Sequence, residues 1–258
     1  MPNICLTIAY DGTEYHGFQR QPLFHGPTVQ GTMEQIWKEL IGEEISIATA
    51  GRTDTGVHAA GQVVSFYSQA RIPAEKIPKA FNSLLPHSIR ILKAQFVDER
   101  FHARISARWK RYDYRIDNSP IFNVFTRLYA LHEPIPLNVE WMQAAAKYLE
   151  GKHNFKTFAA AGTSSRTFER TLYRCQVSKQ EQNFTITCIG DGFLYNMVRI
   201  ISGTLLNVGK GRIHPDELPD IIASQERTRA RYTAPAHGLS LTYVHYGEES
   251  PWDVFTDI

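Results

Sequence analysis

Strand-like segments outnumber the segments that could form helices, and this proportion limits the folds open to the chain. The short apolar stretches of strand length are residues 3–10, 44–50, 61–68, 89–97, 168–180 and 182–190. The last two are spaced like the arms of a hairpin. A parallel sheet needs a helical crossover between successive strands, and too few helical segments are present to supply them. The sequence therefore predicts an α+β fold built on antiparallel sheets.

Two helix-like segments start and stop at recognisable cap residues. Thr28 precedes an apolar stripe of helical period, and Gly42 is placed to end that helix. Asn138 is placed to start a second helix and Gly151 to end it. A further helix is expected near 73–84. These two capped helices are the basis for the predicted division of the chain into two units.

The same residue types recur at the same spacing in both halves of the chain. The matched sets are Met33, Leu40 and Gly42 in one half and Met142, Leu149 and Gly151 in the other. This self-similarity predicts a duplicated unit, with an N-terminal α+β unit at 1–105 and a C-terminal unit at 106–258. A helix over 193–209 belongs to the second unit, with Leu194 on its apolar stripe and Arg199 off it.

Local clusters of basic residues compensate for a net charge of only +2 over 258 residues. One cluster, read as a strand at 99–115, interleaves six basic residues with aromatic ones, and a second lies at 226–232. Basic side chains neutralise phosphates and aromatic faces stack on bases, so this mixture favours RNA over a membrane. The alternative is a solvated strand edge decorated with arginine. The candidate RNA-binding residues are Arg104, Arg108, Lys110 and Arg111.

Composition and cysteine content favour a cytoplasmic protein. No segment reaches the roughly 18 apolar residues that a membrane-spanning helix needs, and a basic leader followed by an apolar run is not found at the N-terminus. The three cysteines show no CxxC spacing, so we expect neither a disulfide framework nor a zinc site. Each cysteine lies in an apolar stretch and is interpreted as a small core residue.

Asp54 is the only carboxylate in the turn-like string "GRTDTGVHAAGQ" (51–62). An aspartic protease would need two carboxylates that share a proton, whereas Arg52 favours an ionised Asp54. A metal site is disfavoured because His58 has no second ligand at suitable spacing. The structural alternative is that Asp54 stabilises the turn and pairs with Arg52.

Four motifs, in order along nearly the whole chain, resemble the tRNA pseudouridine synthase A family. They are "YDGTEYHGFQRQ" (10–21), "GRTDTGVHAAGQVVSF" (51–66), "FHARISARWKRYDYRI" (101–116) and "FLYNMVRIISGTLLNVG" (193–209). The string "SSRT" (164–167) also fits. The resemblance implies an isomerase without a cofactor, which converts uridine to pseudouridine at nucleotides 38, 39 and 40 in the anticodon arm of tRNA. It also implies two α+β units whose antiparallel sheets join across a central cleft, and a homodimer.

The resemblance also implies roles for individual residues. Asp54 matches the catalytic aspartate, and Arg199 matches its basic partner. Arg52 matches a residue that helps to extrude the base, and Tyr112 matches the residue that stacks on the uracil. From the residues alone, Tyr112 and Tyr114 are equal candidates, since alternation on a strand places both on one face. His58 is expected to shape the turn.

A non-catalytic RNA-binding protein derived from such an enzyme is the alternative function. It would keep the basic clusters and lose Asp54, Tyr112 or Arg199. All three are present, which favours the enzyme.

Overall fold

A computed structural model describes residues 1–22, 26–162 and 165–255. The strands there are β1 (Asn3–Tyr10), β2 (Ala48–Thr49), β3 (His58–Tyr67), β4 (Ile89–Val97), β5 (Trp109–Asp117), β6 (Leu131–His132), β7 (Gly151–Asn154), β8 (Glu169–Gln180), β9 (Asn183–Gly190) and β10 (Leu239–His245). The α-helices are α1 (Val29–Ile41), α2 (Ile77–Asn82), α3 (Val139–Lys147), α4 (Met197–Gly209), α5 (Leu218–Ser224) and α6 (Pro251–Val254). The mixture of mainly antiparallel strands with separate helices confirms the α+β class.

The chain forms two compact units, and the second interrupts the first. The first unit contains Met1–Arg108 and Ser240–Gly247, and the second contains Trp109–Leu239 and Glu248–Ile258. The first unit thus includes most of β10, which the contiguous division of the sequence left in the C-terminal half. The reason is strand pairing, because β10 lies parallel to β3 in the first unit.

In the first unit the strands follow the order β4-β1-β3-β10. β1 pairs antiparallel with both β3 and β4. The fully buried Trp37 of α1 packs on Phe66 of β3 and Phe81 of α2, with ring centroids 5.0 Å and 5.4 Å away. These aromatic contacts join the helices to the sheet and form part of the core of the first unit.

The helix predicted after Thr28 is confirmed. The Thr28 hydroxyl accepts a hydrogen bond from the Gly31 N–H, and Gly42 ends α1 in the left-handed conformation at φ 79°. The helix expected near 73–84 is shorter as an α-helix, because residues 74–76 form a 3₁₀ turn before α2 begins at Ile77.

The strand predicted at 44–50 is wrong except for its last part, where only Ala48 and Thr49 form β2. Side chains of α1 hold the preceding backbone instead. The Ile47 N–H donates to the Glu34 carboxylate at 3.1 Å, and the Gln30 side chain donates to the Ile47 carbonyl at 3.4 Å. Once its polar groups are bound to a helix, this backbone has no need of a strand partner.

In the second unit the strands follow the order β5-β9-β8-β7. The predicted hairpin is confirmed as β8 and β9, which pair antiparallel along their length. Asn138 caps α3 by accepting a hydrogen bond from the Trp141 N–H at 2.8 Å, as predicted. The helix ends at Lys147, earlier than predicted, and Gly151 opens β7 at φ 98°.

The basic cluster at 99–115 is not one strand, which corrects the prediction. Residues 99–108 form turns and irregular backbone, and β5 begins only at Trp109. The Ala103 N–H donates to the Ser65 hydroxyl at 3.0 Å, and the Arg108 N–H donates to the His245 carbonyl at 2.9 Å. These bonds hold the segment against β3 and the end of β10, within the first unit.

The predicted helix over 193–209 begins later than expected, at Met197. Leu194 therefore lies in the segment before α4 and not on a helical stripe. Apart from Arg199, every residue of α4 is buried, so the helix is enclosed on all sides. The expected single apolar stripe is wrong, although Arg199 does stand apart from the buried set as predicted.

Within residues 1–22, 26–162 and 165–255, no helix combines the length and apolar character needed to cross a membrane. The same ranges contain no group of three His, Cys, Asp or Glu side chains arranged to hold a metal ion.

Candidate active site

Asp54 occupies the first position of a tight turn that leads directly into β3. The Val57 N–H donates to the Asp54 carbonyl at 3.1 Å, and Gly56 has φ 76°. A positive φ at the third residue is the mark of a type II turn, and it favours glycine. The glycine of the Asp-Thr-Gly string is therefore favoured by the geometry of this turn. Asp54 is half-buried.

Two glycines of the segment 10–21 pack directly against the backbone of this turn. A Cβ on Gly12 would lie 2.1 Å from the Val57 carbonyl oxygen. A Cβ on Gly17, which has φ 82°, would lie 2.8 Å from the Thr53 carbonyl oxygen. Close approach between two backbones explains the glycines at positions 12 and 17 of the first motif. The first two motifs are thus parts of one structure.

Polar side chains of neighbouring residues also hold this turn in place. The Tyr10 hydroxyl lies 2.7 Å from the Thr53 hydroxyl, and burial raises the pKa of Tyr10 to about 12. The Tyr10 hydroxyl therefore stays protonated at neutral pH and remains available for this hydrogen bond. His58 Nδ1 accepts a hydrogen bond from the Gly12 N–H at 2.9 Å, and the ring is buried. The structure places His58 as a support of the turn.

Arg52 is exposed, and its Nε donates to the Gln19 side-chain carbonyl at 3.0 Å. This contact connects Arg52 to the segment 10–21. The sequence offered a pairing of Arg52 with Asp54 as an alternative. Within the described ranges, the structure shows a contact of Arg52 with Gln19 instead. Gln19 was not singled out from the sequence, although it lies in a recognised motif.

The two tyrosines of β5 occupy different environments in the second unit. The Tyr112 ring packs edge-on against Phe193 with centroids 4.9 Å apart, and 7% of Tyr112 is exposed. Tyr114 has no exposed surface, and its hydroxyl donates to the Pro235 carbonyl at 2.9 Å. Burial raises the pKa of Tyr114 well above its usual value. Tyr114 is a core residue, which leaves Tyr112 as the stronger candidate for base stacking.

Arg199 lies in the first turn of α4 and is half-buried. Its Nε donates to the Ala234 carbonyl at 2.9 Å, and its Nη1 donates to Asn196 Oδ1 at 2.9 Å. The guanidinium is thereby fixed relative to the helix. The segment 193–196 carries Phe193, which touches Tyr112, and Asn196, which touches Arg199. One short segment thus contacts both candidate residues of the second unit, while Asp54 and Arg52 belong to the first.

Asn196 was given no role from the sequence. It adopts the left-handed conformation at φ 60° and ψ 10° immediately before α4. Asparagine tolerates this conformation better than other residues with a Cβ. The available signal was an asparagine at the start of a helical pattern, three residues before a candidate arginine. A typical helix cap has an extended backbone and a side chain that accepts a hydrogen bond from the first turn, whereas Asn196 is left-handed and its side chain makes no such bond.

The four candidate RNA-binding residues are divided between the two units. Arg104 and Arg108 are exposed on the irregular backbone of the first unit. Lys110 and Arg111 are neighbours on β5, so they project from opposite faces of the sheet, with Lys110 on the face of Tyr112. Arg111 binds Asp113 at 3.0 Å and borders an open polar cavity of about 290 Å³.

Comparison with known proteins supports the chain's assignment to one family. The family model described as "tRNA pseudouridine synthase" matches residues 6–105 and 145–247. The chain is similar to tRNA pseudouridine synthase A of Moorella thermoacetica, with 49% identity over 95% of this chain and 100% of the relative. It is also similar to tRNA pseudouridine synthase A of Syntrophomonas wolfei, with 48% identity over 97% of this chain and 100% of the relative. The protein of the same name from Bacillus pumilus is 46% identical over 93% of this chain and 97% of its own length.

The two-unit α+β fold and the match over both units define an RNA-modifying enzyme of the isomerase class. The chain belongs to the tRNA pseudouridine synthase family. Members of this family convert uridine in tRNA to pseudouridine.

Proposed function

We propose that this chain isomerises uridine at nucleotides 38, 39 and 40 of the tRNA anticodon arm, and that Asp54 is its catalytic residue. The observation that carries the proposal is the turn at 54–57. Its backbone is held by the hydrogen bond of a type II turn and by close contacts with Gly12 and Gly17, and Asp54, its one acidic residue, is partly exposed. A carboxylate on a backbone held in this way needs little reorganisation when it reacts.

The reaction needs a carboxylate and consumes no other reagent. The bond between N1 of uracil and C1′ of ribose breaks, a bond between C5 and C1′ forms, and a proton leaves C5 while one returns to N1. No atom is oxidised or reduced, so we propose that the enzyme uses no cofactor. An ionised Asp54 can attack C1′, stabilise a cationic sugar, attack the uracil ring or remove a sugar proton.

Three further side chains are proposed to act on the target nucleotide. Tyr112 stacks on the uracil, supported by its packing against Phe193. Arg199 is the basic partner of the catalytic carboxylate, supported by its fixed guanidinium in the enclosed helix α4. Arg52 helps to extrude the base, because its planar guanidinium is exposed and oriented by Gln19.

Phosphate contacts are proposed for Arg104, Arg108 and Lys110, with Arg111 as a weaker candidate. Arg104 and Arg108 are exposed, and Lys110 shares the face of Tyr112. Arg111 was chosen from the sequence with the others, but its charge is partly compensated by Asp113, which is itself buried. We therefore expect Arg111 to contribute least to the salt dependence of tRNA binding.

We also propose a homodimer located in the cytoplasm, where tRNA would be its substrate. An apolar loop in the second unit supports the dimer, because several large apolar side chains there are exposed. These are Ile121, Phe122, Val124 and Phe125, and 87% of Phe125 is exposed. Exposed apolar surface of this kind marks protein interfaces.

The test of the proposed function uses Asp54→Asn, with purified protein and an unmodified tRNA transcript. We expect the wild type to form pseudouridine at nucleotides 38–40 without added metal or cofactor, and the variant to form none. The variant should still bind tRNA in a filter assay, because arginines outside the turn hold the phosphates.

Glu14→Gln is the matched control, since it removes one exposed carboxylate from the neighbouring segment and should keep full activity. Turnover by a correctly folded Asp54→Asn protein would refute the role of Asp54. Wild-type protein that binds tRNA but forms no pseudouridine would instead support a binding-only protein.

A further inference from the structure

We propose that residues 226–234, together with Arg212, form a second phosphate-binding surface for tRNA, which lies along α4 beside Arg199. We call residues 226–234 the basic strap. The inference rests on the proposed function in one respect, which is that tRNA is the ligand. It is carried by four features of the strap: its attachment to α4, its exposed arginines, its half-buried Arg227 and its strained backbone.

The strap is attached to α4 at two points. The Thr204 hydroxyl of α4 donates to the Ala230 carbonyl at 2.9 Å. Five residues earlier on the helix, the Arg199 carbonyl accepts from the Ala234 N–H at 3.0 Å, and Arg199 Nε donates back to the Ala234 carbonyl. Between them a Cβ on Gly203 would lie 2.2 Å from the Tyr232 carbonyl oxygen. The strap backbone therefore lies directly on the helix.

With its backbone against the helix, the strap presents charged and aromatic side chains to solvent. Arg229 and Arg231 are exposed, and 40% of Tyr232 is exposed. Arg231 Nη2 donates to the Arg212 carbonyl at 3.3 Å, which brings the exposed Arg212 beside the strap. Glu226 is the single acidic residue of the strap. A net positive surface with an exposed aromatic ring suits a nucleic-acid backbone.

Arg227 has a structural role within the strap. Arg227 is half-buried, and burial lowers its pKa from the usual value. Its Nη1 donates to the Arg231 carbonyl at 2.8 Å, and its Nη2 donates to the Thr233 hydroxyl at 2.7 Å. Arg227 therefore holds the bend in which Arg231 sits, and the other arginines remain available to a ligand.

Arg231 sits in a backbone conformation that glycine adopts readily and arginine does not. Its φ is 58° and its ψ is −113°. A residue with a Cβ is strained there, and such strain concentrates at functional sites. Glycine at this position would be the more stable choice, so the arginine is best explained by what its side chain does.

The position of the strap indicates which phosphates it meets. Thr204 and Arg199 are five residues apart on α4, which corresponds to about 7.5 Å along the helix axis. If Arg199 acts at the target nucleotide, the strap meets the backbone within a few nucleotides of it. We therefore expect the strap to contact the anticodon arm and not a distant arm of the tRNA.

The experiment compares Arg231→Gly with Arg231→Lys. Arg231→Gly removes the charge and the strain together, so we expect a melting temperature about 2–4 °C higher and a salt slope of tRNA binding lower by about one. Arg231→Lys keeps both charge and strain, so neither quantity should change appreciably. Lys147→Ala removes an exposed charge from α3 and should leave the slope unchanged.

Each binding measurement is repeated with an isolated anticodon-arm RNA. We expect the slope to fall equally for full-length tRNA and for this fragment. A fall seen only with full-length tRNA would overturn the placement near the target, and an unchanged slope with both RNAs would overturn the surface itself. Failure of the proposed function would show separately, as turnover by Asp54→Asn or as wild-type protein that forms no pseudouridine.

Discussion

The Asp54 turn and the Arg199 site are held in place by different means. Around Asp54 the constraint is backbone against backbone, because Gly12 and Gly17 lie against the carbonyls of Val57 and Thr53. Around Arg199 the constraint comes from hydrogen bonds of its own side chain, to Ala234 and Asn196. A backbone contact tolerates no added atom, whereas a side-chain bond can be removed or replaced one at a time. We therefore expect single substitutions near Asp54 to cause a large loss of stability and activity, and those near Arg199 to cause smaller, graded losses.

The largest expected effect is a loss of stability at Tyr114, whose side chain packs in the core of the second unit. Tyr114→Ala removes a fully buried ring and the hydrogen bond to Pro235, so it should lower the free energy of unfolding by about 3–5 kcal/mol. Tyr114→Phe keeps the ring and loses only the hydroxyl, so it should lower the free energy of unfolding by about 1–3 kcal/mol. Urea denaturation measures both.

Turnover per folded molecule is the control in this pair, and it should stay near the wild-type value in Tyr114→Phe. A loss of turnover in folded Tyr114→Phe that exceeds the loss in Tyr112→Phe would show that the wrong tyrosine has been assigned to the uracil.

A smaller effect is expected at Gly17, where the change tests the backbone constraint itself. Gly17→Ala introduces a Cβ at positive φ and 2.8 Å from the Thr53 carbonyl oxygen. We expect a loss of about 2–4 kcal/mol in the free energy of unfolding, because strain and overpacking add, together with a loss of pseudouridine formation.

Gly42→Ala is the matched control, since Gly42 has φ 79° but nothing lies within 4 Å of the added Cβ. It should lose only about 1 kcal/mol and keep its activity. Equal effects of the two substitutions on activity would remove the distinction between the two sites.

The smallest effect is expected at Asn196, where the side-chain constraint is tested. Asn196→Gly keeps the left-handed backbone without strain and removes the acceptor for Arg199. We expect kcat to fall about tenfold, equivalent to about 1.4 kcal/mol, with little change in the affinity for tRNA. Asn196→Asp retains an acceptor oxygen and should restore most of kcat. Wild-type kcat in Asn196→Gly would show that Arg199 is positioned without Asn196.

Local signals in the sequence were sufficient where neighbouring residues decide the structure. Thr28 and Gly42 located α1, and the β8–β9 hairpin followed from two adjacent apolar stretches. Prediction failed where residues distant in sequence determine the local structure. The backbone at Ile47 is bound by Glu34 and Gln30, and no property of residues 44–50 reveals that competition.

The candidate site shows the same division. The string around Asp54 is recognisable through its resemblance to a family motif, and the structure explains its Gly56 by the positive φ of a type II turn. From the residues alone the choice between Tyr112 and Tyr114 is open, because alternation gives both one face, and the contacts with Phe193 and Pro235 that separate them involve residues distant in sequence. Asn196 was missed because its contact with Arg199 depends on a left-handed residue that helical periodicity does not reveal.

The pairing of β10 with β3 has a consequence for the order in which the chain can mature during synthesis. Ser240 and Leu241 pair with His58 and Ala59, the residues that follow the Asp54 turn. A ribosome must therefore synthesise residues 109–239 of the second unit before it releases the strand that holds this edge of the first. A nascent first unit would present an open strand beside its candidate catalytic carboxylate until nearly the whole chain had emerged. The edge of β3 that follows the candidate catalytic turn is thus among the last parts of the first unit to be completed.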